Sequence, residues 1–157
     1  PTKGLMLVPQ HKTNRIDLDA DSVVVYLEDS FGEIIIRSQV AILATGRFLS
    51  GGLSADRESI RETLVGIPVS QPECRNDWHS LDYFDPNGHP VNRSGIEIDE
   101  NYRPLNVEGN PVSDRLFAAG VVLAHQDWVR QRCGAGVAIT SAYKAVEAVT
   151  NILNRKP

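Results

Sequence analysis

The residues with the clearest chemical signal open a helical segment, residues 132 to 145, which reads Arg-Cys-Gly-Ala-Gly-Val-Ala-Ile-Thr-Ser-Ala-Tyr-Lys-Ala. Gly134 and Gly136 each cost about 1 kcal/mol relative to alanine inside a helix, so something other than helix propensity must favour them. The first four N–H groups of a helix lack internal partners and, with the helix dipole, attract negative charge. Small residues would let a flat or phosphorylated ligand approach this backbone closely. We therefore expect a ligand contact here, with tight packing of the helix start against a strand as the alternative.

Two continuous apolar runs are predicted to be the strands that position this helix. Val40–Ala44 and Arg115–Ala119 are followed by small residues, Thr45 and Gly46 in the first case and Gly120 in the second. Continuous apolar runs are typical of parallel strands that are buried on both faces. Ligands of open α/β sheets bind at the carboxyl ends of such strands. The sequence therefore predicts an α/β fold with a ligand near these strand ends.

The remaining elements are predicted from shorter patterns. They are a strand at Gly4–Val8, a hairpin of Ser22–Glu28 and Glu33–Ser38, a short helix at Ser54–Leu64, a strand at Ile96–Asp99, and a final helix whose apolar positions run from Val137 to Leu153. On the short helix, Arg57 and Glu58 would pair with Arg61 and Glu62 at i,i+4 spacing. Six of the nine prolines fall within residues 47–113, which we interpret as an insert or cap segment.

Composition excludes several classes of function. The chain has 157 residues, 41% of them hydrophobic, and a net charge of −4, which argues against a nucleic-acid partner. No apolar run reaches the roughly 18 residues of a transmembrane helix. Cys74, Cys133 and the four histidines show no metal-ligand spacing, so no metal site is predicted. Because the chain begins at Pro1 within a strand-like segment, we expect it to be a piece of a longer protein.

The two strand ends resemble signatures of flavoproteins with the two-dinucleotide-binding fold. Val-Ala-Ile-Leu-Ala-Thr-Gly at 40–46 resembles the second signature, and Arg-Leu-Phe-Ala-Ala-Gly at 115–120 resembles the late one, which approaches the flavin. More narrowly, Phe48-Leu-Ser-Gly-Gly-Leu53 through Gln131-x-Cys-Gly-x-Gly-Val137 is similar to the family formed by the B subunits of anaerobic glycerol-3-phosphate dehydrogenases. The resemblance covers roughly residues 40 to 153.

This resemblance implies a partial, Rossmann-like flavin-binding domain, the carboxyl-terminal portion of the family's fold. Residues 1–46 would form its β-meander and Ala-Thr-Gly strand, 47–113 a proline-rich insert, and 114–157 the late strand and carboxyl-terminal helix. The cofactor would be FAD or FMN, with the N–H groups of Gly134–Val137 on the pyrimidine edge of the flavin. The implied cofactor contacts are Thr45, Gly46, Gly120, Val121, Arg132, Cys133, Gly134, Ala135, Gly136 and Val137. Many relatives carry Asp or Glu at the position of Val121, so their contact to a ribityl hydroxyl is expected to be absent.

The resemblance also implies a function. The chain would be part of a flavin-dependent oxidoreductase subunit that passes electrons from glycerol 3-phosphate oxidation towards quinone, and this portion would be inactive alone. It would bind the other subunits of the complex in the cytoplasm or on the inner face of the membrane. The residues assign no catalytic group: His125 is expected to be a solvated loop histidine rather than a substrate contact. Two alternatives are a non-catalytic assembly module and a fumarate-reductase-like enzyme, for which the insert is short and lacks an arginine cluster.

Overall fold

A computed structural model describes residues 4–154 and contains nine strands and two α-helices in this part of the chain. The strands are β1 Lys12–Leu18, β2 Val23–Asp29, β3 Gly32–Ser38, β4 Ala41–Leu43, β5 Leu53–Ala55, β6 Ile60–Glu62, β7 Val69–Ser70, β8 Gly95–Ile96 and β9 Leu116–Ala118; the helices are α1 Trp128–Gln131 and α2 Gly134–Asn154. Residues 1–3 and 155–157, which belong to the first and last of the three predicted segments, lie outside the described residues. Between residues 4 and 154, no helix is both long enough and apolar enough to cross a membrane.

The first three strands form one antiparallel sheet in the order β1-β2-β3. The predicted hairpin is present as β2 and β3, and the Asp29 carboxylate closes its turn by accepting the N–H groups of Phe31 and Gly32. The predicted strand at Gly4–Val8 is wrong, because this segment is mostly exposed and pairs with no strand. The strand that pairs with β2 is instead β1, which buries Ile16.

The predicted helix at Ser54–Leu64 is also wrong, since β5 and β6 form an antiparallel hairpin there. Asp56 causes the turn: its Oδ1 accepts the N–H groups of Glu58 at 2.7 Å and Ser59 at 2.8 Å. Arg61 pairs with Asp56 at 2.7 Å. Glu62 is buried and accepts backbone N–H groups from the turn that follows β6. The i,i+4 pairs expected on a helix therefore do not form.

The parallel pair that should position the ligand is present. β4 and β9 run parallel, with Ala41 opposite Leu116 and Leu43 opposite Ala118, as the two apolar runs predict. Only the start of the strand predicted at Ile96–Asp99 is present, as β8. Ile98 forms an isolated β-bridge with Pro104.

The hydrophobic core joins distant parts of the sequence. One cluster unites residues of the first sheet, of the 47–113 segment and of the late strand, among them Val23, Leu53, Trp78, Ile96 and Leu116. A second cluster contains Phe117, Ala119 and Ala145, which attach α2 to β9. The final helix is present as predicted, from Gly134 to Asn154. The second cluster packs the middle and second half of α2, through Ala145, Ala148, Val149 and Ile152, against β9.

Candidate functional site

The ends of β4 and β9 bring two of the predicted contact residues to one edge of the sheet. Thr45 and Gly120 each lie two residues beyond the last opposed pair, Leu43 and Ala118. The Ala119 N–H donates to the Leu43 carbonyl at 2.9 Å, so the two chains leave the sheet together. Thr45 Oγ1 is buried and has no hydrogen-bond partner among the described residues. A buried hydroxyl without a partner at a strand end marks a place where a ligand could bind.

Gly46 and Gly120 need glycine for their backbone conformation. Their φ angles are +68° and +81°, in the left-handed region that residues with a side chain rarely adopt. A Cβ at Gly46 would also clash with Ser50 Oγ. Both glycines turn the chain sharply out of the sheet at the predicted ligand edge.

The start of α2 is open around its two glycines. A Cβ on Gly134 would meet only Val121 Cγ1, at the ordinary distance of 3.9 Å. A Cβ on Gly136 would have no atom within 4 Å among the described residues. Packing within this part of the chain therefore does not require glycine at either position.

Ser141 connects the start of α2 to the sheet edge. Its buried Oγ accepts the Gly120 N–H at 2.8 Å, one and a half turns along the helix from Gly136. Arg132 ends α1 in the left-handed region at φ +50°, and Cys133 lies between the two helices. The Cys133 thiol contacts Gln131 Oε1 at 3.5 Å, and both Cys133 and Cys74 are free.

Arg47 is a residue of this site that the sequence analysis missed. Its guanidinium donates to four backbone carbonyls: Val121 at 2.5 Å, Leu123 at 3.0 Å, Gln126 at 3.1 Å, and Asn92. Three of these carbonyls belong to the loop that follows Gly120. Arg47 therefore fixes the shape of this loop from its position directly after the Thr45-Gly46 turn. The position of Arg47 directly after a predicted strand end was the available sequence signal for a site residue. Its hydrogen-bond partners, however, lie 45 to 79 residues away in sequence.

Arg47 lies in an unusual electrostatic setting. It is only 6% exposed, and this burial lowers the pKa of its guanidinium, while the nearby charge of Asp127 opposes the shift. Asp127 is itself 2% exposed and caps α1 through Oδ1, which accepts the Arg130 N–H at 3.2 Å. Its Oδ2 has no hydrogen-bond partner within residues 4–154. The Arg47 guanidinium, beside the Asp127 charge and bonded to backbone carbonyls, therefore stabilises the loop between β9 and α1.

Three of the ten predicted contact residues line cavities, and each lines a different one. Thr45 lines a cavity of about 660 Å³, together with His11, Lys12 and Gly51. Val121 lines a cavity of about 180 Å³ beside Arg47. Val137 lines a third, of about 370 Å³, in the loop and helix region that includes His125. The sheet edge, Val121 and the start of α2 lie near one another, but the described residues do not enclose them in one common cavity.

His125 has a partner that its place in the sequence does not indicate. Its Nε2 lies 2.6 Å from Glu97 Oε1, and its φ angle is +68°. The expectation of a solvated loop histidine fits the exposure of the ring, which is 70%, but not this contact. Among the residues that the structure describes, no group of three His, Cys, Asp or Glu side chains could hold a metal ion.

Comparison with known proteins shows which proteins the sequence is similar to. The profile of the FAD binding domain matches residues 1–137. The chain is 33% identical over 118 residues to the B subunit of anaerobic glycerol-3-phosphate dehydrogenase from Aliivibrio fischeri (strain MJ11), and the match covers 75% of this chain and 26% of that protein. It is 32% identical over 146 residues to the corresponding protein of Pectobacterium carotovorum subsp. carotovorum (strain PC1), and this match covers 93% of this chain and 34% of that protein. The chain thus spans about a quarter to a third of the length of these relatives. No solved structure matches it significantly.

Proposed function

This chain belongs to the FAD binding domain family, and we propose that it forms the carboxyl-terminal part of the flavin-binding subunit of an anaerobic glycerol-3-phosphate dehydrogenase. FAD, one of the two predicted flavins, is the cofactor of this family. The proposed fold is the Rossmann-like two-dinucleotide-binding type. In it, residues 1–46 supply a β-meander and the Ala-Thr-Gly strand, 47–113 a proline-rich insert, and 114–157 the late strand and helix.

The open backbone at the start of α2 is the observation that carries this proposal. A side chain at Gly134 or Gly136 would meet open space or an ordinary contact. Of the four predicted N–H contacts, that of Val137 already donates to the Cys133 carbonyl at 2.9 Å, so the N–H groups of Gly134, Ala135 and Gly136 at the start of this 21-residue helix are the ones proposed to face the ligand. Such groups stabilise negative charge, and a bound flavin supplies the two-electron chemistry of the family. The unpartnered Thr45 Oγ1 at the neighbouring strand end also fits a ligand with polar atoms. The residues present therefore fit a flavin.

The remaining predicted contacts would act around this opening. Gly120 and Val121 lie between the sheet edge and the helix, where an uncharged Val121 offers a surface but no acceptor for a ribityl hydroxyl. Arg132 and Cys133 directly precede the helix and would lie at its positive end. Arg47 would keep the intervening loop in place without contacting the cofactor.

The names of the relatives support a finer function for this chain. Those proteins are subunits of a dehydrogenase named for glycerol 3-phosphate. We propose for this chain the same reaction class, with electrons passing towards quinone, other subunits of the complex as partners, and a place in the cytoplasm or on the inner face of the membrane. This portion would be inactive alone.

Cofactor analysis of the full-length protein tests the proposal. The protein is purified with light excluded, its cofactor is released with acid, and the absorbance and mass of the released compound are measured. We expect about one equivalent of a flavin with the mass of FAD. A folded protein that releases no flavin would contradict the proposal.

A non-catalytic assembly module remains the second candidate. Val121 in place of the family's acidic residue favours it, as does an apolar stripe on α2 formed by Ile139, Tyr143 and Val146, which are 72%, 68% and 52% exposed. A protein that co-purifies with a partner subunit and yet holds no flavin would support this candidate over the enzyme.

A further inference from the structure

A small cavity of about 150 Å³ lies where the residues around the end of β7, the residues before β8 and the loop after β9 meet. Its volume is below the range of drug-sized ligand sites, about 300–1,000 Å³, so it suits a ligand of few heavy atoms. Its polar lining consists of Ser70, Gln71, Arg93, Ser94 and His125, and two prolines complete the walls. Among the described residues, no Asp or Glu lines it.

Ser94 gives this cavity a buried hydroxyl that is available to a ligand. The residue is 1% exposed, and its Oγ has no hydrogen-bond partner within residues 4–154. The neighbouring backbone is tightly held, because a Cβ on Gly95 would lie 2.5 Å from the Val122 carbonyl oxygen and the His125 N–H donates to the Arg93 carbonyl at 2.8 Å. Since a buried hydroxyl without a partner is unfavourable, a ligand that accepts its proton would stabilise the site.

Arg93 supplies a positive charge to the same cavity. Within the described chain its guanidinium makes one long contact, from Nη2 to the Asn87 carbonyl at 3.4 Å, so most of its N–H groups remain for a ligand. Gln71, by contrast, uses both ends of its amide on Ile60, accepting the N–H at 2.6 Å and donating to the carbonyl at 2.9 Å. The available groups are therefore a guanidinium and hydroxyls, which favour a ligand with negatively charged acceptors.

We propose that this cavity binds a small carboxylate monoanion of about the size of acetate, whose oxygens accept from the Arg93 guanidinium and the Ser94 hydroxyl. A planar carboxylate matches the paired N–H groups of a guanidinium. Arg93 balances a single negative charge, whereas the second charge of a phosphate dianion would be buried without a partner. The bound anion would connect the segment before β8 to the loop after β9.

Glu97 is the acid that opposes this binding. It does not line the cavity, but its carboxylate lies 2.6 Å from Nε2 of His125, which does. Its negative charge therefore weakens the attraction of Arg93 for an anion without occupying the site. We expect Glu97→Gln, which removes this charge and keeps an acceptor for the imidazole, to bind the carboxylate more tightly.

The test observes His125 at the edge of the cavity by NMR. The full-length protein is labelled with ¹⁵N-histidine, and the His125 signal is assigned with the variant His125→Gln. Sodium acetate, the neutral isostere acetamide and sodium phosphate are titrated separately at constant pH, with sodium chloride keeping the ionic strength constant. We expect acetate to shift the His125 signal to saturation, and acetamide and phosphate to leave it unchanged.

Two variants separate the proposed contacts. Arg93→Gln should weaken acetate binding about tenfold, and Ser94→Ala roughly threefold. Because Ser94→Ala removes a hydroxyl that has no partner in the described chain, it should not lower the unfolding temperature of the acetate-free protein. Arg57→Gln is the matched control, since Arg57 is an exposed arginine between β5 and β6, and it should bind acetate like the unmodified protein.

Each outcome decides one part of the proposal. Failure of acetate to shift the His125 signal overturns the site. An equal response to acetamide overturns the role of charge, and an equal response to phosphate overturns the ligand class. Equal losses in Arg93→Gln and Arg57→Gln would show that acetate responds to the overall charge of the protein rather than to this cavity. The site does not depend on the proposed flavin function, so flavin absorbance of the same samples reports on that function separately.

Discussion

At the scale of single residues, Arg47 is the side chain on which the geometry of the loop after β9 depends most. It satisfies four backbone carbonyls from two segments, and it is nearly fully buried. Replacing it by methionine would keep much of the volume but remove the donor from the carbonyls of Val121, Asn92 and Gln126, whereas the Leu123 carbonyl would keep the Gln126 side-chain amide. We predict that Arg47→Met lowers the free energy of unfolding by about 3 kcal/mol, because each buried unpaired acceptor costs about 1–3 kcal/mol. Urea unfolding followed by circular dichroism measures this loss.

Arg57→Met is the matched control for this prediction. Arg57 is exposed and lies in the loop between β5 and β6. Its replacement should change stability by less than about 0.5 kcal/mol. Equal losses in the two variants would show that the carbonyl contacts of Arg47 do not hold the loop.

At the scale of elements, the β5–β6 hairpin should respond to acid through its turn. Backbone hydrogen bonds from Glu58 and Ser59 lower the pKa of Asp56 below its ordinary value. A carboxylate with a lowered folded-state pKa adds stability above its unfolded pKa of about 3.8, and this stability is lost as pH falls through the folded value. We predict that Asp56→Asn removes this part of the acid sensitivity. The free energy of unfolding, measured from pH 7 down to the acid range, should fall less steeply in the variant than in the unmodified protein. An equal fall in both proteins would show that Asp56 does not cause this part of the acid sensitivity.

The start of α2 gives the prediction that bears on the cofactor. We predict that Gly136→Val leaves the fold intact, because a side chain there has open space. It should lower FAD occupancy at least tenfold, because a branched side chain would fill the space over the helix N–H groups. Flavin absorbance per protein measures occupancy, and thermal unfolding checks the fold.

Ala138→Val supplies the control two residues along the same helix. It introduces the same β-branched side chain at another exposed position of α2. Its helix-propensity change is unfavourable, whereas that of Gly136→Val is slightly favourable, so a loss of FAD confined to Gly136→Val would not come from a weaker helix. It should retain full FAD occupancy. If both variants bound FAD equally well, the glycine-opened helix start would not be the cofactor contact.

At the scale of the whole molecule, local patterns predicted which segments form the main strands and the long helix. The parallel pair β4 and β9, the β2–β3 hairpin and α2 follow from apolar runs and helical periodicity. The prediction of a short helix at Ser54–Leu64 was wrong because the same spacing of charged residues occurs on helices and on hairpins. The turn that Asp56 stabilises favours the hairpin. Arg47 and the His125–Glu97 pair were missed because their contacts join residues between 28 and 79 positions apart. No short window of sequence contains such information.

The packing of α2 against β9 should contribute strongly to the stability of the whole molecule. Phe117, on β9, is fully buried and packs with Ala119 and Ala145, whereas Phe31, at the β2–β3 turn, is 96% exposed. We predict that Phe117→Ala costs about 3–5 kcal/mol in unfolding free energy, because it leaves a cavity between the sheet and the helix. Phe31→Ala should cost less than about 0.5 kcal/mol. Chemical denaturation of both variants measures the difference. A small loss in Phe117→Ala would mean that α2 is held to the sheet by contacts other than this cluster.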